Sequence, residues 1–356
     1  MTFALRDSVG LVAIGRNEGD RLGVCLKSAR GELAHIVYVD SGSTDGSVEL
    51  ARALGVDVVE LDMDRPFTAA RARNAGWHRL RELAPPLAFV QFVDGDCELE
   101  PGWLAFASDR LRGSPELAAV GGRRRERHRD ATIYNRLCDM EWARPPGVDV
   151  PCGGDAMMRV AALEQVGGFD GSVIAGEEPE LCVRLRQRGW ATLRVDLPMT
   201  VHDAAMTRAS QWWRRNVRAG HAFAEGAARH GRSAQRHNAR QAASVLGWAV
   251  VLPLVAAMLA RSTRGWSLLG LAVYPLHAAT IARTARREGR ARSAAEGLLW
   301  GAACVVGRWP QVQGMWRYLH TRIGGGRSAI IEYRGPRREH AASVNGDGAA
   351  ARAKGQ

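Results

Sequence analysis

Residues 88–96 read AFVQFVDGD: the apolar run Ala88–Val93, interrupted only by Gln91, passes directly into Asp94-Gly95-Asp96. A strand buried on both faces reads as a continuous apolar run, and Asp and Gly favour turns. The segment therefore predicts a buried strand that ends in an acidic turn. The same pattern occurs three times upstream. Val9–Ile14 (VGLVAI) is stopped by Gly15, His35–Asp40 (HIVYVD) by the turn-rich Ser41–Gly46, and Val56–Leu61 is a third run. Between the runs lie helical patterns: Asp20–Arg30 closed by Gly31, Ser47–Leu54 stopped by Gly55, and Ala69–Leu83 broken by Pro85-Pro86. Strands alternating with helices of about 10–15 residues predict an α/β, doubly wound, mainly parallel sheet.

Ligands of such sheets bind at the carboxyl ends of the strands. Those ends carry Arg16-Asn17-Glu18, Asp40 and Asp94-Gly95-Asp96, so three polar or acidic clusters are expected on one edge. Asp94 and Asp96 are the sharpest pair. Two carboxylates two residues apart on a tight turn reach one hard divalent cation, Mg²⁺ or Mn²⁺, which usually shares its coordination with substrate phosphate. The competing reading is a solvated turn. The strand in front of the pair and Asp40 on the neighbouring strand favour the cation.

The chain has 356 residues, of which 46% are hydrophobic and 24% charged, so bulk disorder is excluded; its 40 Gly show no three-residue period, so collagen is excluded too. The net charge of +12 is unevenly placed. Met1–Thr207 holds 25 cations and 31 anions, a net of −6, whereas Arg208–Gln356 holds 24 cations and 6 anions, a net of +18. Only Lys27 and Lys354 are lysines. With the positive excess outside the α/β part, no nucleic-acid partner is expected. The cysteines, Cys25, Cys97, Cys138, Cys152, Cys182 and Cys304, form no CxxC and read as buried reduced thiols. No signal peptide is expected at Met1–Asp7.

The second half changes character. Ala242–Ala260 is apolar apart from Ser244, Gly265–Ala282 apart from Ser267, His277 and Thr280, and Gly297–Gly307 is a shorter third run. A membrane-spanning helix needs about 20 apolar residues. Arg232, Arg236 and Arg240 precede the first run, and Arg283, Arg286, Arg287, Arg290 and Arg292 follow the second. Positive-inside counting makes the two a hairpin with both outer flanks in the cytoplasm. The expected organisation is an α/β domain over 1–207 that carries the acidic edge, a basic amphipathic interface segment over 208–240, membrane-associated helices over 241–316, and a basic, partly disordered tail over 317–356. Within the helices the hairpin covers about 241–282. An interfacial or re-entrant piece covers about 294–309, anchored by Trp300, Trp309 and Trp316.

Six blocks, IGRNEGDRL, VDSGSTDGS, RARNAG, VDGDCELEPGWL, GGDAMMRVAALEQVGGFD and GEEPELCVRLRQRGW, in this order over about Val9–Trp190, resemble the family-2 glycosyltransferases of the inverting GT-A type. The resemblance implies a Rossmann-like GT-A fold and a nucleotide-diphosphate sugar donor. Asn17, Glu18, Asp40, Arg73, Asn74 and Asp94 are implied on the nucleotide-sugar side. Asp40 corresponds to the residue near the base or ribose, and Ser41 stands where many relatives have a second acid. Asp96 is implied as the direct metal ligand, with Asp94 holding the ribose or a metal-bound water. A base is implied in Gly176-Glu177-Glu178-Pro179, where Glu178 stands at the family's Asp position and Glu177 is its neighbour. Both acids are expected at a helix N-terminus, which favours ionised carboxylate and equally suits plain capping. Asp155 either binds an acceptor hydroxyl or caps an Ala156–Val166 helix. His202 either completes the metal shell or is structural. Gln211 and Arg214 partly match a Q/R-x-x-R-W motif on the acceptor side, with Arg215 where the Trp is expected. Arg123–Arg129 (RRRERHR) reads as a mobile phosphate-binding loop or a solvated charge run.

The expected function is a metal-dependent hexosyl transfer from a UDP-sugar to a lipid-linked saccharide in polysaccharide assembly, at the cytoplasmic face of a bacterial inner membrane. A sugar-phosphate nucleotidyltransferase would need a Lys-bearing phosphate loop near the N-terminus, and GRNEGDRLG has none. A non-catalytic membrane scaffold need not retain Asp94, Asp96 and Glu178 together.

Overall fold

The structure is a computed structural model that describes residues 5–83, 87–149, 151–326 and 329–332. The expectations for Pro85-Pro86 and for the tail beyond 332 lie outside these residues. A short helix α1 (Leu5–Ser8) leads into β1 (Val9–Gly15), α2 (Asp20–Arg30), β2 (His35–Asp40), α3 (Ser47–Ala53), β3 (Asp57–Glu60), α4 (Ala69–Leu83) and β4 (Phe89–Asp94). These match the expected alternation to within a residue or two at each end. Next come β5 (Cys97–Leu99), α5 (Trp103–Arg112), β6 (Leu117–Glu126), α6 (Ile133–Trp142), β7 (Gly147–Val148), β8 (Ala156–Arg159), α7 (Val160–Val166), α8 (Glu177–Gln187) and β9 (Ala191–His202).

All nine strands share one sheet, in the order β3-β2-β1-β4-β8-β6-β9-β5 with β7 on β9. The first four are parallel, as the apolar runs predict. The rest is mixed: β8 is antiparallel to both β4 and β6, while β6 and β9 are parallel. Ala156–Arg159 is thus a strand and only Val160–Val166 is helical, so Asp155 does not cap a helix. The apolar Ala156-Met157-Met158 is needed to close the sheet between β4 and β6, and this tertiary demand overrides the good helix propensity of Ala and Met. The two strand-like pieces Thr192–Val195 and Pro198–Val201 form one strand, β9, which accommodates Pro198 at a register shift against β6.

Both faces of the sheet are buried. Val9, Leu11 and Ala13 pack with α2 and α5 on one side, and Val12, with Val90 and Phe92 of β4, packs with α4 and α8 on the other. Gln91, fully buried, is satisfied by accepting a hydrogen bond from Trp103 Nε1 at 2.8 Å and donating one to the Phe92 carbonyl. Register aligns the site: Gly15 pairs with Asp40 and Ile14 with Asp94.

The second half is helical: α9 (Ala209–His230), α10 (Ala239–Leu246), a π-helical turn (Gly247–Val251), α11 (Leu252–Ala260), a 3₁₀ segment (Trp266–Ala272), α12 (Val273–Arg287), α13 (Ala294–Val306) and α14 (Arg308–Ile323). Ala239–Ala260 is continuous and, among the described residues, is the one helix long and apolar enough to cross a membrane by length and composition. The second apolar run is not one α-helix, because it enters through the 3₁₀ segment. It folds back on the first, with Ser267 Oγ donating to the Ala256 carbonyl and the His277 ring stacked on Trp248 at 4.2 Å. Arg317–Ile323, expected in the tail, continues α14. Helices α9 and α14 touch backbone to backbone, since a Cβ on Gly220 would lie 1.9 Å from the Gln311 carbonyl oxygen and one on Gly314 1.9 Å from that of Val217.

Candidate active site

The acidic edge forms where β1, β2 and β4 end and β9 returns. Cys97 of β5 lies opposite His202 of β9, and Glu126 of β6 flanks His202 on its other side. This register brings His202 to Asp96, with Nε2 3.2 Å from Asp96 Oδ2, while Nδ1 lies 3.8 Å from Glu126 Oε2. Trp142 packs edge-on against the imidazole at 4.6 Å. Asp94, Asp96, Cys97 and His202 each place a donor atom within 4.8 Å of the others.

The chemistry of this donor set fits a hard divalent cation. Burial and the nearby Asp155 push the Cys97 thiol well above its usual range, which keeps it protonated and a poor ligand. Two carboxylates and one imidazole remain, and oxygen-rich sites of this kind suit Mg²⁺ or Mn²⁺. Glu126 on the far side of the ring matches the usual carboxylate behind a metal-binding histidine. Burial pushes Glu126 up to about 7.

Arg73 ties this edge to the segment carrying the candidate base. It leaves α4 fully buried, donating from Nη2 to Asp94 Oδ1 at 2.8 Å and from Nη1 to Glu177 Oε1 at 2.7 Å. Two glycines make room. A Cβ on Gly76 would lie 2.3 Å from Val12 Cγ1, so α4 can sit close to the sheet; one on Gly154 would lie 2.6 Å from Arg73 Nη2. Burial alone would raise the Asp94 carboxyl, but Arg73 and Arg124 outweigh it and hold it below the usual range.

Arg124 belongs to this edge as well, although the sequence does not single it out within the Arg123–Arg129 run. Its Nη2 lies 2.5 Å from Asp155 Oδ1 and 3.5 Å from Asp94 Oδ2, with the guanidinium over the Trp142 ring. The Arg123–Arg129 run is therefore neither a mobile loop nor wholly a solvated run: its first part is the end of β6. Strand alternation carried the signal, because Arg124 and Glu126 point inward while Arg123 and Arg125 pair outward with Asp196 and Glu100.

Asp155 is completely buried. It accepts from Arg124, from Thr200 Oγ1 at 2.8 Å and from the Asp94 backbone N–H at 3.3 Å. Burial raises its carboxyl despite these donors. The arrangement makes Asp155 a support beneath Asp94 and does not turn it toward an acceptor.

Several other expected residues serve the loops. Asp40 accepts from Tyr38 Oη and from the Gly42 and Ser43 backbone N–H groups, closing the turn after β2. Asn17, with a left-handed φ of 56°, accepts from the Thr44 N–H at 2.8 Å and so joins the turns after β1 and β2. Glu18 pairs with Arg21 at 2.6 Å. Asn74 both donates to and accepts from the backbone of Phe169, fixing the loop before α8. Gln211 accepts from the Thr207 and Arg208 N–H groups as part of the α9 cap, and Arg214 lies exposed on the same helix.

Glu177 and Glu178 are the first two residues of α8, after Gly176 at φ 79°, so the helix starts two residues before Pro179, which would suit a first helical position. Pro179 is accordingly the third helical residue. Glu177 is held by Arg73. Glu178 is buried, with Oε1 accepting from the thiols of Cys152 at 3.2 Å and Cys182 at 3.1 Å. At the mouth of the edge, Ile331 packs on Ile174 and Ala175, and Glu332 pairs with Arg16 at 2.9 Å.

Residues 12–167 match the model of glycosyl transferase family 2. No curated protein matches the chain in sequence. Among solved structures, the mannosyltransferase PcManGT of Pyrobaculum calidifontis, in complex with GDP-Man and Mn²⁺, is similar at 21% identity, covering 88% of this chain and 87% of that one, with a TM-score of 0.59. TarS 1–349 of S. aureus aligns at 12% identity over 89% of this chain and 92% of that one, with a TM-score of 0.46. The mixed sheet agrees with the GT-A fold of that mannosyltransferase, and residues 12–167 carry the match to glycosyl transferase family 2.

Proposed function

We propose that the chain is an inverting, metal-dependent glycosyltransferase that moves a hexosyl group from a nucleotide-diphosphate sugar, UDP-linked, to a lipid-linked saccharide at a membrane surface. The observation that carries the reading is the convergence of Asp94, Asp96 and His202 on one edge, tied through Arg73 to the N-terminus of α8. The mannosyltransferase of similar fold contains GDP-Man and Mn²⁺, which supports a nucleotide-sugar donor and a divalent cation as classes.

Asp96, Asp94 and His202 would hold the cation, Mg²⁺ or Mn²⁺. When bound, it neutralises the leaving diphosphate. The acceptor hydroxyl attacks the anomeric carbon, the bond to the diphosphate oxygen breaks, and Glu178 takes the hydroxyl proton. Glu178 suits this role better than Glu177, whose carboxylate is spent on Arg73. Arg73 and Arg124 keep Asp94 ionised, and Asp155 holds Arg124 in place.

Attachment to the cytoplasmic face of a bacterial inner membrane is supported by the apolar Ala239–Ala260 helix and by the exposed Val251, Leu254, Met258, Trp266, Leu268 and Leu269 beside Arg261 and Arg264. A site held at the bilayer favours a lipid-linked acceptor in cell-surface polysaccharide assembly. Mass spectrometry of lipid-linked saccharides from cells with and without the intact gene tests this. One lipid-linked species should be shortened by a single hexose in its absence; an unchanged lipid-linked pool would contradict the acceptor.

A further inference from the structure

Cys152 and Cys182 are completely buried, and their Sγ atoms lie 3.8 Å apart. Both address the same oxygen, Glu178 Oε1. Cys182 stands four residues after Glu178 on α8, so the helix itself places the thiol beside the carboxylate. Cys152 comes from a different element, just before Gly153-Gly154-Asp155. Its position is fixed by β6, because a Cβ on Gly121 would lie 2.4 Å from the Cys152 carbonyl oxygen.

We propose that Cys152 and Cys182 are positioning residues for Glu178: their S–H groups hold Oε1 and leave Oε2 as the oxygen that receives the acceptor proton. The proposal rests on the reading of Glu178 as the base. The protonation it needs is present. The hydrogen bond with Cys182 and burial keep the Cys152 thiol well above its usual range; for Cys182 the hydrogen bond from Cys152 lowers it, and burial together with the charge and hydrogen bond of Glu178 outweighs that and raises it. Among the described residues Glu178 Oε2 accepts no hydrogen bond, so the two carboxylate oxygens are unequal before any acceptor arrives. Thiols are weak donors, so each contact acts as a steering constraint on a side chain that would otherwise choose among rotamers. A Glu side chain has one more rotatable bond than Asp, so it has more orientations to lose and the constraint is the more useful.

The test uses the full-length protein in detergent. Infrared spectra of the S–H stretch report the contacts without any substrate. The bands of the two buried thiols should move to higher frequency in Glu178→Ala, as freed S–H groups do, and bands that do not move would overturn the proposal. Turnover is read as nucleoside diphosphate release from UDP-glucose and GDP-mannose with water as acceptor. The C152A/C182A variant should lose about tenfold in kcat with the donor KM changed less than about twofold, and C152S/C182S, which restores two donors, should recover most of the loss. Cys138→Ala, which removes one buried thiol away from Glu178, should leave both parameters unchanged. A double-alanine variant turning over within about twofold of wild type, or a loss that serine does not recover, would also overturn it. Failure of the base reading looks different: Glu178→Gln would then release nucleoside diphosphate at the wild-type rate while the infrared shift in Glu178→Ala persists.

Discussion

In the glycosyltransferase domain the buried groups that stand out are charged: Arg73, Asp155, Asp96 and Glu177 all lie below a tenth exposed, and each has an oppositely charged or hydrogen-bonding partner. In the C-terminal helices the exposed groups that stand out are apolar: Met258 is 71% exposed, Trp266 72% and Leu276 68%. With the proposed membrane attachment, the contrast is that of two solvents. A water-soluble domain can bury ions only by pairing them, and it does so where chemistry needs fixed charge. A surface rich in Leu, Met and Trp between arginines has the composition of an element that meets lipid. The helix contacts agree. Gly301 faces the Ala278 carbonyl oxygen so closely that a Cβ would lie 2.1 Å from it, and small-residue approaches of this kind pack helices where hydrophobic burial gives little drive.

The largest effect is expected from the base. Glu178→Gln should lower kcat by about a thousandfold while donor affinity stays near wild type, because general-base catalysis contributes on the order of 10²–10⁴ and acts on the acceptor proton. Rapid-mix kinetics and donor titration check it; if Glu177→Gln is instead the inactive variant with normal donor binding, the two acids exchange roles. Next in size is the charge clamp. Arg73→Ala strands Asp94 and Glu177 without their cation, and breaking a buried ion pair from one side costs about 3–5 kcal/mol. Urea denaturation should show that loss; a change below about 1 kcal/mol would mean the clamp is dispensable for the fold.

The apolar face comes third. Replacing Leu254 and Met258 with Arg puts charge where lipid is expected, at about 2.5–3.5 kcal/mol per residue at a helix centre. The wild type should stay with membranes after a 1 M salt wash and leave only with detergent, whereas the double variant should shift toward the soluble fraction. Wild-type protein released by salt alone would reduce the attachment to surface electrostatics.

The smallest effect joins the two regions. Arg129, at the end of the β6 arginine run, grips Glu296 of α13 with two hydrogen bonds, Nη1 to Oε1 at 2.9 Å and Nη2 to Oε2 at 2.8 Å. Those bonds hold the Glu296 carboxyl down to about 2 from its ordinary 4.5. A carboxyl lowered on folding contributes stability that is fully present above pH 4.5 and is lost as pH falls toward 2. Urea midpoints measured from pH 6 to pH 3 should therefore fall more steeply for wild type than for Glu296→Gln. Equal slopes would remove this contact from the acid sensitivity.

The parallel half of the sheet was readable because its strands are buried on both faces and punctuated by Gly, Pro and Asp; Asp40, Asp94 and Asp96 followed from their places at strand ends. The mixed half was not. Ala156–Arg159 carries helix-forming residues and becomes a strand only because β4 and β6 leave a gap that it fills, a constraint invisible locally. His202 could be placed near the acids only by a resemblance, since its neighbour Cys97 is 105 positions away and is brought there by register. Arg124 was hidden in a run of arginines that reads as a solvated face unless strand alternation is imposed on it. Asn74 and Gln211 carry motif identity, yet their side chains hold backbone, which no spacing rule reveals.

In the proposed function Asp94, Asp96 and His202 form a cation site through which the nucleotide sugar is held. Calorimetric titration of UDP-glucose and GDP-mannose into wild type and Asp96→Ala, each with and without Mn²⁺, tests it most directly. Wild type should bind one of the donors at least tenfold more tightly with Mn²⁺, and Asp96→Ala should lose that gain while unfolding at a similar temperature. Metal-dependent affinity left intact in Asp96→Ala would contradict the account.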